Sequence, residues 1–225
     1  MAEGVRHGPN VPRVLKTNIP GATVSRLPIY LRCLNDLPAS VNTCSSEQLG
    51  IIAGVKSAQV RKDLSYLGSY GVRGVGYNVA DLSGQIKKAL GLTRGYHVVI
   101  VGAGNLGSAL AGYGGFGSWG FEVVGLVDVD PAKIGAIHHG VTIEPITNLE
   151  EICSQREVAI GIVATPSHAA QDVADRLAAA GVVSILNFAP TVLHVPDSVD
   201  VRRVDLSTEL QILTFHLQNR EESSG

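Results

Sequence analysis

The chain has 225 residues, 45% of them hydrophobic and 17% charged, with 26 glycines. That composition excludes intrinsic disorder and a coiled-coil rod, and allows one large domain or two small ones. The formal net charge of -2 hides a split. Up to Gly95 the chain carries 12 Lys+Arg against 5 Asp+Glu, a surplus of +7, and the remainder carries 6 against 15, a deficit of -9.

A basic module joined to an acidic one points to a polyanion as partner of the first. No apolar run approaches the roughly 18 residues of a membrane span, and Met1–Gly4 opens no secretory signal. A cytoplasmic protein with no membrane partner is therefore expected. Cys33, Cys44 and Cys153 form no CxxC pair and read as thiols, and no metal site is expected.

Residues 1–18 are polar and aperiodic, a loose arm. From Ala22 to Leu37 the apolar residues Val24, Leu27, Leu31 and Leu34 recur at helical spacing. Pro28 either kinks this helix or sits in its first turn. Ser45 and Gln48 are spaced as the capping box of a second helix, with Leu49 and Ile52 inward, and Gly54-Val55 ends it. Ser57 is placed to cap a third helix, whose Val60, Leu64 and Leu67 form one stripe. From Gly71 to Val79 glycine alternates with β-branched and aromatic residues, the pattern of a tight hairpin.

Three helices and a hairpin describe a winged helix-turn-helix domain over residues 19–92, ending in a connecting helix from Leu82 to Leu92 with Leu82, Ile86 and Leu90 on one face. The third helix turns Ala58, Lys62, Ser65 and Tyr66 outward, flanked by Gln59 and Arg61. Such side chains reach base edges and phosphates. With Ser45, Ser46 and Ser57 at the helix starts, and Arg73 and Tyr77 in the wing, they are the candidate contacts to duplex DNA. A solvated helix on a small structural domain is the alternative, and the local positive charge argues against it.

The strand His97–Val101 runs directly into Gly102-Ala103-Gly104-Asn105-Leu106-Gly107, which precedes a helical stretch, Ser108–Tyr113. A second strand, Glu122–Val127, ends at Asp128. This is the context that gives a GxGxxG sequence meaning as a dinucleotide fingerprint. Gly102 is expected to make the tight turn, Gly104 to admit the pyrophosphate, and Gly107 to let helix and strand pack. Asp128 is expected to accept from the adenosine ribose and to favour NAD(H) over NADP(H).

Strands Val158–Ala164 and Val183–Asn187, with a helix over about 169–180, continue a parallel sheet covered on both faces over residues 93–204, and Val141–Pro145 adds a short edge. The strand ends Ala164-Thr165-Pro166-Ser167 and Asn187-Phe188-Ala189-Pro190 are where the nicotinamide is expected. Thr165 and Ser167 read equally well as helix caps. Residues 205–225 form a last helix and tail, with Leu206, Leu210, Leu213 and Leu217 on one stripe and Ile212 and Phe215 beside it. So broad a stripe suggests insertion into a partner subunit.

No tyrosine has a lysine four residues later, and His168 near the strand ends lacks an obvious carboxylate partner. The dinucleotide therefore reads as a signal and not as a reactant. An NAD-dependent dehydrogenase with an unusual active site is the rival reading. A nucleotide domain of the acyl-CoA ligase type is a third, opposed by Asp128 and by the basic module.

Several stretches together resemble the redox-sensing transcriptional repressor family Rex. They are Ile19-Pro20 with Arg26-Leu27-Pro28, Ala58–Tyr66, Gly68–Gly71, Arg73–Tyr77, Val101–Gly107, Asp128–Pro131, Ile185–Pro190 and Val204-Asp205-Leu206. The likeness spans about residues 19–217. It implies an α/β protein with a winged helix-turn-helix, a Rossmann-type parallel sheet and a C-terminal helix exchanged in a homodimer. It also implies an inverted-repeat operator as the DNA partner, NADH and NAD as ligands, and release of DNA when NADH rises. Tyr113, Asp205 and Arg26 match the family's switch residues. On the sequence alone they would read as a helix-end aromatic, an N-cap and a solvated charge.

Overall fold

The computed structural model describes residues 19–68, 71–72 and 74–222. The arm over 1–18, the wing residue Arg73 and the pair Ser69-Tyr70 lie outside the described residues. The chain divides between Thr93 and Arg94 into two compact units.

In the first unit α1 (Gly21–Asn35) buries Leu27, Tyr30, Leu31 and Leu34. It begins seven residues before Pro28 and runs on past it, so Pro28 is not a first-turn residue. Val24 falls off the buried face and is exposed. The capping box of α2 (Ser46–Ala53) is present. Ser45 Oγ accepts from the Gln48 amide at 3.1 Å, and Gln48 Oε1 accepts from the Ser45 amide at 2.8 Å. Gly54, at φ +66°, ends the helix.

Ile52 does not point inward as expected; it is 50% exposed. The turn toward the next helix crosses α2 at Gly50, where a Cβ would stand 2.5 Å from the Val55 carbonyl oxygen. The packed face is therefore centred on Ser46, Leu49 and Gly50, leaving Ile52 outside it. In α3 (Ser57–Ser65) the N-cap position is Lys56, so Ser57 is the first helical residue and does not cap. Val60 and Leu64 are buried, and Leu67, beyond the helix end, is half-buried.

The wing strands β2 (Gly71–Val72) and β3 (Gly76–Asn78) pair antiparallel. A third strand, β1 (Thr43–Cys44), adds to β3 on its other side. At two residues it is too short to show an alternation in the sequence. Next, α4 (Val79–Ala89) starts where Asn78 Oδ1 accepts from the Asp81 amide at 3.0 Å, and it buries Leu82 and Ile86.

The second unit is built on a seven-stranded sheet. Its strands are β4 (Tyr96–Val101), β5 (Phe121–Asp128), β6 (Ile137–His138), β7 (Val141–Pro145), β8 (Val158–Val163), β9 (Ser184–Asn187) and β10 (Asp200–Arg203). The order is β10-β9-β8-β4-β5-β7-β6, parallel except for β6. Val141–Pro145 is thus not the edge, because β6 lies outside it. β10 extends the other side, and its exposed Asp200–Arg203 carries no apolar signal.

The two-residue period of β4 divides the core. Val99 and Val101 pack with Ile152, Val173 and Leu177 on one face, while Val98 and Ile100 pack with Leu126 and Ile162 on the other. The first cluster is covered by α7 (Leu149–Gln155) and α8 (Ser167–Ala179). The second receives Leu110 of α5 (Asn105–Ala111) and Phe116 of α6 (Gly114–Ser118). The last helix, α9 (Leu206–Glu222), leaves Leu206, Leu210, Leu213, Phe215 and Leu217 exposed. Among the described residues no helix is long and apolar enough to cross a membrane, and Cys33, Cys44 and Cys153 are free thiols.

Candidate dinucleotide and DNA sites

The chain leaves β4 for β5 on one side and returns at β8 on the other. The crevice outside the carboxyl ends of β4 and β8 is therefore the topological switch point, where ligands bind in open parallel sheets. The glycine loop fills one wall of it. Gly102 has φ +105°, and a Cβ there would stand 2.6 Å from the Ala164 carbonyl oxygen. At Gly107 a Cβ would run into the carbonyl oxygen of Gly102. Both glycines are demanded by the protein itself.

Gly104 is different. Its backbone is extended (φ -80°, ψ -170°), and a Cβ would meet nothing within 4 Å. No protein contact needs a glycine at this position. The open space beside an exposed backbone is what a diphosphate requires, so the loop fits a dinucleotide. Ala103 is buried beneath the loop, while Asn105 and Leu106 are exposed beside it.

Asp128, at the end of β5 and expected from the sequence to meet a ribose, is engaged within the protein. Its Oδ2 accepts from the Ala103 amide at 2.7 Å and from Lys133 Nζ at 3.1 Å, and Oδ1 accepts from the Asp130 amide at 2.9 Å. Burial opposes the charge, but these donors outweigh it and hold the carboxyl below its usual range. Asp128 thus fastens the glycine loop to β5 and keeps one acceptor position on Oδ1. Lys133, which sequence reading missed, weakens the case for NAD(H) selectivity built on Asp128 alone, because a cation sits where only an anion was expected. Nothing in the spacing of the sequence marks it, since the turn after Asp128 brings it back.

Thr165 Oγ1 is buried and, among the described residues, has no hydrogen-bond partner. Its methyl carbon lies 3.1 Å from the Cβ position of Gly102, so the residue borders the loop. The capping reading fails for Thr165 and Ser167: the N-cap of α8 is Pro166, and no side chain caps the helix. A buried hydroxyl left unpaired costs about 1–3 kcal/mol, and a ligand group in the crevice would relieve it. Asn187, in contrast, is spent within the protein. Its Nδ2 donates to the Thr191 carbonyl and its Oδ1 accepts from the Ala189 amide, each at 2.9 Å. Phe188 is half-buried against the sheet. His168 is exposed, and among the described residues it pairs with no carboxylate.

The three switch candidates are held within their own units. Tyr113 is 55% exposed at the start of α6, edge-on to Phe116 with ring centroids 5.1 Å apart. Asp205 is indeed a cap: Oδ1 accepts from the Ser207 amide at 3.1 Å, and Oδ2 pairs with Arg203. Arg26 is no solvated charge. Its Nε and Nη2 grip the two oxygens of Asp63 at 2.6 and 2.8 Å.

On the first unit, Arg61, Lys62 and Ser65 form an exposed face of α3, with Tyr66 half-buried. Arg61 is steadied from α2, donating to Ser46 Oγ at 2.9 Å and Glu47 Oε1 at 3.1 Å. An open groove lined by Ser45, Ser46, Arg61, Val72 and Tyr77 lies between this face and the wing. Gln59, flanking this face, is half-buried and turns its amide nitrogen onto Asp63.

The two units define a class: a winged helix-turn-helix fold joined in one chain to a dinucleotide-type Rossmann fold. A family model described as the N-terminus of putative DNA-binding proteins matches residues 18–65, and one described as a CoA binding domain matches 93–191. A redox-sensing transcriptional repressor Rex of Streptomyces avermitilis is 58% identical over 98% of this chain and 86% of its own length. The chain belongs to the Rex family. The Rex of Carboxydothermus hydrogenoformans is 52% identical over 89% of this chain and 97% of its own. A solved structure of RSP with β-NAD+ and operator DNA is 37% identical, with a TM-score of 0.85, covering 92% of this chain and 95% of that one. RSP with β-NADH gives a TM-score of 0.84 at 37% identity, covering 93% and 99%.

Proposed function

We propose that the chain is a redox-sensing repressor that binds operator DNA through α3 and the wing, and lets go when NADH fills the β4/β8 crevice. The observation that carries this reading is the pairing of Gly104's open cradle with the unpartnered Thr165 hydroxyl, in a chain whose other unit presents a basic helix. Gly102–Gly107 would hold the diphosphate and Asp128 the adenosine ribose. Thr165, Pro166 and Phe188 would border the nicotinamide, and Asn187 would shape that border from beneath.

NADH and NAD+ share their phosphates and riboses and differ at the nicotinamide. A ligand that bound both protein states equally would shift nothing. A tenfold bias needs about 1.4 kcal/mol of differential affinity. The exposed stripe of α9 supports a homodimer built by exchange of that helix, since so much apolar surface is rarely left in water. Two copies related by a twofold axis match an inverted-repeat operator.

Across such a dimer Tyr113, Asp205 and Arg26 form the switch. Asp205 pairs with Arg26 in the DNA-bound state, and NADH draws Asp205 to Tyr113. Within the chain Asp205 is paired with Arg203 and Arg26 with Asp63, so the switch requires both residues to share or exchange these partners. In keeping with its repressor relatives, the dinucleotide is read as a signal and not consumed, and the chain acts in the cytoplasm.

Replacing Arg61 and Lys62 together by alanine tests the DNA face. Each cation removed from a phosphate should lower the salt slope of binding by about one, with affinity falling most at low salt. Unchanged binding at every salt concentration would remove α3 from the interface.

A further inference from the structure

Asp63 is the only charged side chain of α3 that the fold buries completely. Its Oδ1 accepts from Thr23 Oγ1 at 2.9 Å, Arg26 Nη2 at 2.8 Å and Gln59 Nε2 at 2.9 Å. Its Oδ2 accepts from Arg26 Nε at 2.6 Å and Tyr30 Oη at 2.7 Å. Four of these five bonds come from α1 and explain why a charge is tolerated there. The fifth comes from Gln59, one turn earlier on α3 itself.

That fifth bond has a chemical consequence. A carboxylate only accepts, so Gln59 must turn its NH2 end to Asp63. The orientation of a glutamine amide, otherwise free to flip, is thereby fixed. Its Oε1 takes no hydrogen bond from any described residue and is not among the buried unpartnered atoms. Gln59 is half-buried at the border between the inward face of α3 and the exposed face bearing Arg61 and Lys62.

We infer that Asp63 is a positioning residue for base readout, holding the Gln59 amide so that Oε1 is presented as an acceptor beside the second Nε2 hydrogen. The inference rests on the reading of α3 as the DNA-recognition helix. An acceptor next to a donor complements the N6 donor and N7 acceptor of adenine in the major groove. Gln59 therefore specifies an A·T pair in each half-site. Because Arg26 grips the same carboxylate, a change at Arg26 reaches Gln59 through one shared side chain.

The test uses the full chain and a duplex selected by the wild-type protein from a randomised pool, with every base pair then substituted in turn. Gln59→Ala and Asp63→Asn should both lose discrimination at the same A·T position, by about tenfold. Tyr30→Phe removes a bond to the other carboxylate oxygen and should keep that preference. Uniform weakening by Asp63→Asn with unaltered preferences would reduce Asp63 to a structural role and overturn the inference. If Gln59→Ala and the Arg61→Ala/Lys62→Ala pair all bound as wild type does, the recognition-helix reading itself would have failed. Should Asp63→Asn not fold, the wild-type chain carries the test by NMR. The Gln59 side-chain amide must then show two resolved protons with one protected from solvent exchange, and a fast-exchanging pair contradicts the inference.

Discussion

Alanine at Gly104 should leave the second unit as stable as before while weakening NADH binding roughly 10- to 100-fold. That loss corresponds to the ~1–3 kcal/mol typical of overlap in a filled site. The backbone at Gly104 is one that alanine adopts freely, and its Cβ meets no protein atom. Reduced freedom in the unfolded chain could even add about 0.4–1 kcal/mol of stability. Alanine at Gly107 should do the reverse, costing about 3 kcal/mol or more, because its Cβ collides with the Gly102 carbonyl. Thermal unfolding with and without NADH separates the two. Undiminished NADH binding by Gly104→Ala would mean that the open cradle is not where the diphosphate lies.

This contrast also shows what a sequence can reveal. The three glycines and the strand on either side are legible because the fingerprint is local, and near-continuous apolar runs mark β4, β5 and β8. The separate duties of the three glycines follow from the same fingerprint; what it does not carry is the Ala164 carbonyl that closes over Gly102, because that residue arrives from β8. Ile52 is exposed for a similar reason: its helical position suits burial, but the packing at Gly50 decides which face is covered. Asp63 left no signal at all. An acid within a basic helix reads as solvated until Thr23, Arg26 and Tyr30 of α1 are folded over it. Asn187 matched a strand-end pattern, yet its amide is used by the loop at 189–191.

Arg26→Ala should cost the first unit about 3–5 kcal/mol at neutral pH, the usual penalty for stranding one member of a buried ion pair. In the wild type, burial pushes the Asp63 carboxyl up, but the bonds from Arg26, Tyr30, Gln59 and Thr23 prevail and hold it well below its usual range. Its contribution is therefore complete above an unfolded value of about 3.9 and is lost only as the pH falls toward strong acid. Without Arg26 the burial is less opposed, and the folded carboxyl should rise above the unfolded value. Between pH 4 and 8 the variant's deficit should then be smallest at the acid end, grow as the pH rises to that new value and level off above it. Melting curves across pH 4 to 8 read the gap directly. A deficit independent of pH would mean that Asp63 is not the group left stranded.

A chain that converts the redox state of a nicotinamide into occupancy of DNA must tell NADH from NAD+. Titrating NADH and NAD+ separately against the protein bound to a fluorescent operator duplex, while following the absorbance of NADH, reads that difference. NADH should release the duplex at concentrations at least tenfold below those at which NAD+ does so, a bias of about 1.4 kcal/mol, and its absorbance should stay constant. Equal release by the two ligands, or steady loss of the NADH absorbance, would contradict the account.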